Sequence, residues 1–183
     1  MPRVAVTVMV LASFAACGGD PADDAALSLE GWAADVCEAL DTELANLEDV
    51  STAINAATAS EGTTGDEAER LLGEVTDAFE QGVESLGRLA ERLEEIGPPE
   101  SASGAAYHDA LLDGTRGAVA SGEAALTELR ELDGSQVLAD PARLQAPIAR
   151  FRHGPGIFSA VEALDRDEIA EAEAALDDPA TCS

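Results

Sequence analysis

The sequence predicts an all-α protein: an elongated up-down bundle of about four helices, the fourth broken near residues 153–156. Three observations carry this. Apolar residues recur at steps of three and four through long stretches, the period of a helix buried on one face. Helix caps and Gly/Pro breakers fall between those stretches. No stretch shows sustained period-two alternation, so no sheet is expected. The hydrophobic fraction is 46% and the aromatic fraction 3%. Any core is therefore built mostly from alanine and leucine.

The first helix is expected over about 28–58. Its stripe is Leu29, Trp32, Val36, Leu40, Leu44, Leu47, Val50, Ile54 and Ala57, with Asp35, Glu38, Asp41, Glu48 and Asp49 in between. The loop 60–65 is polar, and Thr64 with Glu67 makes a capping box for a second helix over about 66–96. That helix has the cleanest seam: Ala68, Leu72, Val75, Phe79, Gly82, Leu86, Leu89, Leu93 and Ile96. Gly97-Pro98-Pro99 stops it.

The third helix, about 101–132, has a thinner stripe of Tyr107, Leu111, Ala118, Ala125, Leu129 and Leu132. Gly114, Gly117 and Gly122 interrupt it. Each mid-helix glycine costs up to about 1 kcal/mol relative to alanine. Either a neighbouring element approaches closely there, or the helix is weak or bent. Asp133-Gly134-Ser135 reads as a turn. Asp140-Pro141 is an N-cap and first-turn pair for a helix to about Arg152, bent at Pro147. His153-Gly154-Pro155-Gly156 breaks it. Ile157, Phe158, Val161 and Leu164 resume an apolar face. Asp165 caps a last helix that Asp177-Asp178-Pro179 ends. Each of the first three helices should be roughly 45 Å long at 1.5 Å per residue.

The chain has 183 residues, 37 acidic and 10 basic side chains, and a formal net charge of −27. All the basic residues are arginine. Nucleic-acid binding needs a cationic footprint, and none is present. The acidity is spread over the outer faces of several helices, which favours solubility and repulsion over recognition.

The N-terminus carries an address. Arg3 precedes an apolar run, Val4 to Ala16, of about 13 residues, too short for a membrane span and suited to a secretory signal. Phe14-Ala15-Ala16-Cys17 resembles the lipobox of bacterial lipoproteins, with Phe14 where that family usually has an aliphatic residue. The resemblance implies cleavage before Cys17, a lipid on Cys17, and attachment to the outer face of the cytoplasmic membrane. Plain secretion is the alternative. An anchor fits the charge, because so acidic a domain is repelled by an anionic leaflet and cannot hold to it electrostatically. The expected organisation is a signal over 1–16, a lipidated tether over 17–27 and a bundle domain over 28–183. The membrane, through the Cys17 lipid, is the one expected contact besides an unknown envelope protein partner.

If Cys17 carries lipid, Cys37 and Cys182 remain as a pair. Export places them in an oxidising compartment, where a disulfide closing almost the whole domain is expected. A reactive or metal-binding thiol is the alternative, without a CxxC to favour it. Trp32, Cys37 and Leu40, with Cys182 at the extreme end, resemble loosely the layout of small exported helical lipoproteins of high-GC actinobacteria. That resemblance implies architecture and location, not chemistry.

Candidate chemistry is sparse. His108 and His153, with nearby carboxylates, are the metal candidates, but they form no known ligand motif, and exposed histidines are the expectation. No GxSxG elbow or phosphate-binding glycine loop occurs. Trp32 sits on a stripe and reads as core. Arg150 and Arg152 flank Phe151 and read as charge balance at a helix C-terminus; docking of an anionic partner is the alternative. Glu91, Glu94 and Glu95 read as a solvated face. The expected function is a lipid-anchored, non-enzymatic binding or interaction module without a cofactor. The alternative is a metal-binding or metal-dependent envelope protein.

Overall fold

The computed structural model describes residues 27–59, 64–153, 156–178 and 180–182. The expected signal, nearly all of the tether, Cys17 and most of the loop 60–65 lie outside them. Among the described residues the fold is all-α. The helices are α1 (Leu29–Ala59), α2 (Gly65–Ile96), α3 (Ala102–Arg130), α4 (Gly134–Ala139), α5 (Ala142–His153) and α6 (Arg166–Leu176), with a 3-10 turn at Val161–Ala163 before α6. None of them is long and apolar enough to cross a membrane.

Local chemistry sets the boundaries. Ser28 caps α1, its Oγ accepting from the Gly31 amide at 3.1 Å. Thr64 and Glu67 form the expected capping box at α2. Gly97, at φ 69°, ends α2 in a conformation that glycine adopts without strain. Ser101 caps α3, and Asp165 caps α6 by accepting from the Asp167 amide. The segment Asp133-Gly134-Ser135 does not merely turn, as expected from the sequence. Asp133 and Gln136 form a capping box that opens α4, and the Gly134 amide donates to Glu69 of α2 at 2.6 Å. The region after α3 therefore holds three short helices rather than one broken helix.

Packing is organised by α2, which lies against both α1 and α3, while α1 and α3 make at most marginal contact with each other. This leaves a groove over α2 between its two long neighbours. At one end α4 packs on α2 and α5 on α3; at the other α6 packs on both α1 and α3. Core one joins Val50, Ile54 and Ala57 to the first half of α2, the end of α3, and Val137, Leu144 and Ile148 of α4 and α5. Core two joins Trp32, Val36 and Ala39 to Leu89 and Leu93, the start of α3, Val161, and Ile169 and Ala172 of α6. Leu27, counted above with the tether, packs against core two.

The third helix is regular through its glycines, and at Gly114 and Gly122 their presence answers to close approach. A Cβ on Gly114 would lie 2.0 Å from the Ile157 carbonyl oxygen, and one on Gly122 would lie 2.7 Å from Val83 and 3.2 Å from the Phe151 ring. The expected seam of α2 is buried along its length. That of α1 holds at Trp32, Val36, Val50, Ile54 and Ala57 and departs at mid-helix, where Glu43 is buried in place of Leu44, which is 39% exposed. A residue adjacent to a seam position is rotated about 100° away from it, which turns Leu44 outward.

Candidate functional site

The two cores leave a waist at mid-bundle, and the waist carries the features that packing alone does not explain. On one side is a polar cluster. Glu43 of α1 is 4% exposed. Both its carboxylate oxygens accept from the Arg88 guanidinium of α2, at 3.1 and 3.3 Å. Asn46 donates to the same carboxylate, and Arg88 also donates to Ser85. Burial alone would raise the Glu43 carboxyl, but the hydrogen bonds from Arg88, Asn46 and Ser85 outweigh it and hold it below its ordinary value. The pair links α1 to α2. No sequence rule flagged Glu43; its seven-residue spacing from Val36 and Val50 is the signal that was present.

On the other side is an apolar cleft of about 240 Å³. Leu47, Val50, Ser51 and Ile54 of α1, Leu86 of α2 and Ala118 of α3 line it, and Phe151, Gly156 and Ile157 border it where the chain leaves α5. Leu86 and Ala118 are buried hydrophobics that belong to neither core. Phe151 stacks at a tilt on Phe79, ring centroids 5.1 Å apart. The cleft is thus a gap in the groove between α1 and α3, at the joint where α5 has ended and α6 has not begun. Ser51 supplies the one polar side chain among its lining residues.

Core two holds the chain's only tryptophan against one of the two metal candidates. The Trp32 indole N–H donates to His108 Nδ1 at 3.2 Å, with both residues buried. The expectation of exposed histidines is corrected for His108: α3 buries two adjacent rows, one of which runs through His108 and Thr115, because α2 and α6 cover it from different sides. Burial lowers the tendency of His108 to protonate, and Asp109 opposes this only in part. Tyr107, edge-on to Trp32, is raised by burial and by Glu173 and Asp177.

The structure does not bring the two histidines together. His153 ends α5 and its side chain lies outside the described atoms. Phe151, two residues earlier, packs on Gly122, four turns of α3 beyond His108 and roughly 20 Å along that helix. His108 Nδ1 is already engaged as an acceptor. Among the described residues no group of three histidine, cysteine or acidic side chains is arranged to hold a metal ion.

Cys37 and Cys182 do meet, with Cα atoms 5.5 Å apart and their sulfurs at bonding distance. A turn after α6, with the Ala180 amide donating to the Asp178 carboxylate and the Cys182 amide to the Asp178 carbonyl, aims Cys182 at α1. Trp32 is fully buried, as expected of a core residue. Arg150 pairs with Glu128 of α3; the Arg152 side chain lies outside the described atoms. Glu91, Glu94 and Glu95 are exposed on α2, and Glu94 pairs with Arg116 at 2.8 Å. No protein-family model, curated protein or solved structure matches this chain.

Proposed function

We propose that this chain is an exported, lipid-anchored binding module of the bacterial cell envelope, without catalytic activity of its own, held at the outer face of the cytoplasmic membrane by a lipid on Cys17. The observation that carries the reading is the disposition of the three cysteines. Cys37 and Cys182 are paired within the bundle. Cys17 is left over, immediately after a short apolar run and Ala15-Ala16. A thiol at that position has a use as a site of lipid attachment and none as a partner for the other two. One acyl chain binds a membrane marginally and two or more bind it stably. The bundle contributes the binding surface, and its mid-bundle cleft is the natural place for a ligand.

The test is expression in a bacterial host fed labelled palmitate, with and without globomycin, which blocks lipoprotein signal cleavage. The wild-type chain should incorporate label, accumulate as a larger precursor under globomycin, and fractionate with membranes. Cys17→Ser should abolish labelling. Unlabelled wild-type protein released to the medium would refute the anchor and leave plain secretion.

A further inference from the structure

We propose that the cleft between α1 and α3 is a binding site for a neutral, single-chain aliphatic amphiphile: its hydrocarbon chain lies against Val50, Ile54 and Leu86, and its uncharged oxygen head meets Ser51. The inference rests on the binding-module reading and is independent of the anchor.

Shape is the first argument. The lining residues of α1 run from Leu47 to Ile54, a length of about 10 Å along the helix. A volume of about 240 Å³ along that length accommodates a single hydrocarbon chain laid parallel to α1. Apolar cavities of about 150 Å³ already hold benzene, so the space suffices for a small apolar occupant.

Chemistry is the second. Among the described residues that line the cleft there is no acid or base, so a charged group held against them would be desolvated without a partner, at high cost. The chain's net charge of −27 further disfavours an anionic head at the mouth. A hydroxyl or ester head avoids both penalties and can exchange a hydrogen bond with the Ser51 hydroxyl, which stands on an exposed residue at the rim.

Construction is the third. The walls are held in place by close contacts that small residues allow. Gly122 admits the Phe151 ring and Gly114 admits the Ile157 carbonyl, so both border elements sit deep against α3. Ala118 lies between these glycines and helps form the floor. A larger side chain there would fill the space.

The experiment is photolabelling of the full-length protein with a long-chain alcohol bearing a diazirine on its tail, followed by peptide mapping. Label should saturate, and fall on the segment Leu47–Ile54 or on Ile157. Competition by 1-octanol points to a free alcohol as the source, and competition by monooctanoylglycerol to a lipid ester; either supports the site. Ser51→Phe at the rim and Ala118→Leu at the floor should each cut labelling by about ten-fold or more, with unchanged far-ultraviolet circular dichroism. The carboxylate analogue of the probe should label at least about ten-fold more weakly. Should Ala118→Leu fail to fold, Ser51→Phe decides. Label scattered over the surface, labelling untouched by the variants or by both competitors, or equal labelling by the carboxylate would overturn the proposal. The protein is recovered from membranes or from the medium, so the outcome does not depend on whether the anchor holds.

Discussion

Replacing His108 with phenylalanine tests the buried pairing at the α6 end of the bundle. The substitution keeps a ring of similar size edge-on to Trp32, where the present rings lie 6.3 Å apart at 66°, and removes only the acceptor. The Trp32 indole N–H is then left without its partner in a place where water does not reach, since Trp32 is 0% and His108 2% exposed. A buried donor stranded in this way costs about 1–3 kcal/mol, and the dryness of the site puts the expectation near the top, at about 2–3 kcal/mol above pH 7. The effect should depend on pH in a defined direction. Burial holds the folded-state pKa of His108 below its ordinary value of 6.5. Above that value the side chain is neutral in both states and the full contribution is present. As pH falls below it, the unfolded chain takes up a proton that the folded chain resists, and wild-type stability falls by at most about 1.4 kcal/mol per pH unit until the folded pKa is reached. The phenylalanine variant lacks this loss, so the gap between the two proteins should narrow in acid. Taking the difference also cancels the many carboxylates that both share. Urea unfolding at pH 8, 7, 6 and 5, followed by the emission of Trp32, the sole tryptophan, measures it. A gap that is negligible at pH 8, or one that widens in acid, would refute the reasoning.

Three further outcomes are expected. Cys37→Ser/Cys182→Ser opens a link across a sequence separation of 145; the chain-entropy argument gives about 5 kcal/mol as the ceiling, and a urea midpoint equal to that of the oxidised wild type would contradict it. Gly114→Ala places a Cβ against the Ile157 carbonyl and should destabilise by about 1–3 kcal/mol, whereas Gly73→Ala, where a Cβ meets nothing, should stabilise by about 0.5–1 kcal/mol; thermal melts of the two variants showing the same sign would remove the close-approach account. Glu43→Gln keeps the shape but weakens the bonds from Arg88 and should cost about 1–2 kcal/mol at neutral pH, the half-exposed arginine being able to rehydrate. Because the Glu43 pKa is held below 4.5, that cost should persist above the ordinary carboxylate range and fade as pH falls through the folded value; urea titrations showing a cost unchanged at pH 2–3 would contradict it.

What the sequence made legible was whatever rested on local signals. Thr64 with Glu67, Asp165 and Gly97 mark helix ends through contacts within a turn, and the structure has those ends. The seam of α2 was legible because that helix is covered on both sides, so its stripe is wide and continuous. The seam of α1 was misplaced only at Leu44, where the adjacent Glu43 is buried instead. Hydrophobicity favoured Leu44; the pairing of Glu43 with Arg88, 45 positions away, selected its neighbour. Ion pairing over such a distance leaves no local trace. His108 escaped for the same reason, since its partner Trp32 is 76 positions away. The Cys37–Cys182 pair was legible by counting, whereas the cleft was not, because its walls come from four separate stretches of chain.

The cleft lies where the chain is broken between α5 and α6. The glycines of α3 fix where the chain lies on either side of that break. Phe151 ends its stretch of α5 against Gly122, and the chain resumes with the Ile157 carbonyl against Gly114. Those two points on α3 are about 12 Å apart, so Phe151 and Ile157 are each held against α3. Leu47, Val50 and Ile54 are left facing the gap, and Leu86 of α2 is exposed to it from below. The same glycines thus let the broken segment pack closely against α3 beside the gap. Substituting either should close the cleft or shift it, before it unfolds either hydrophobic core.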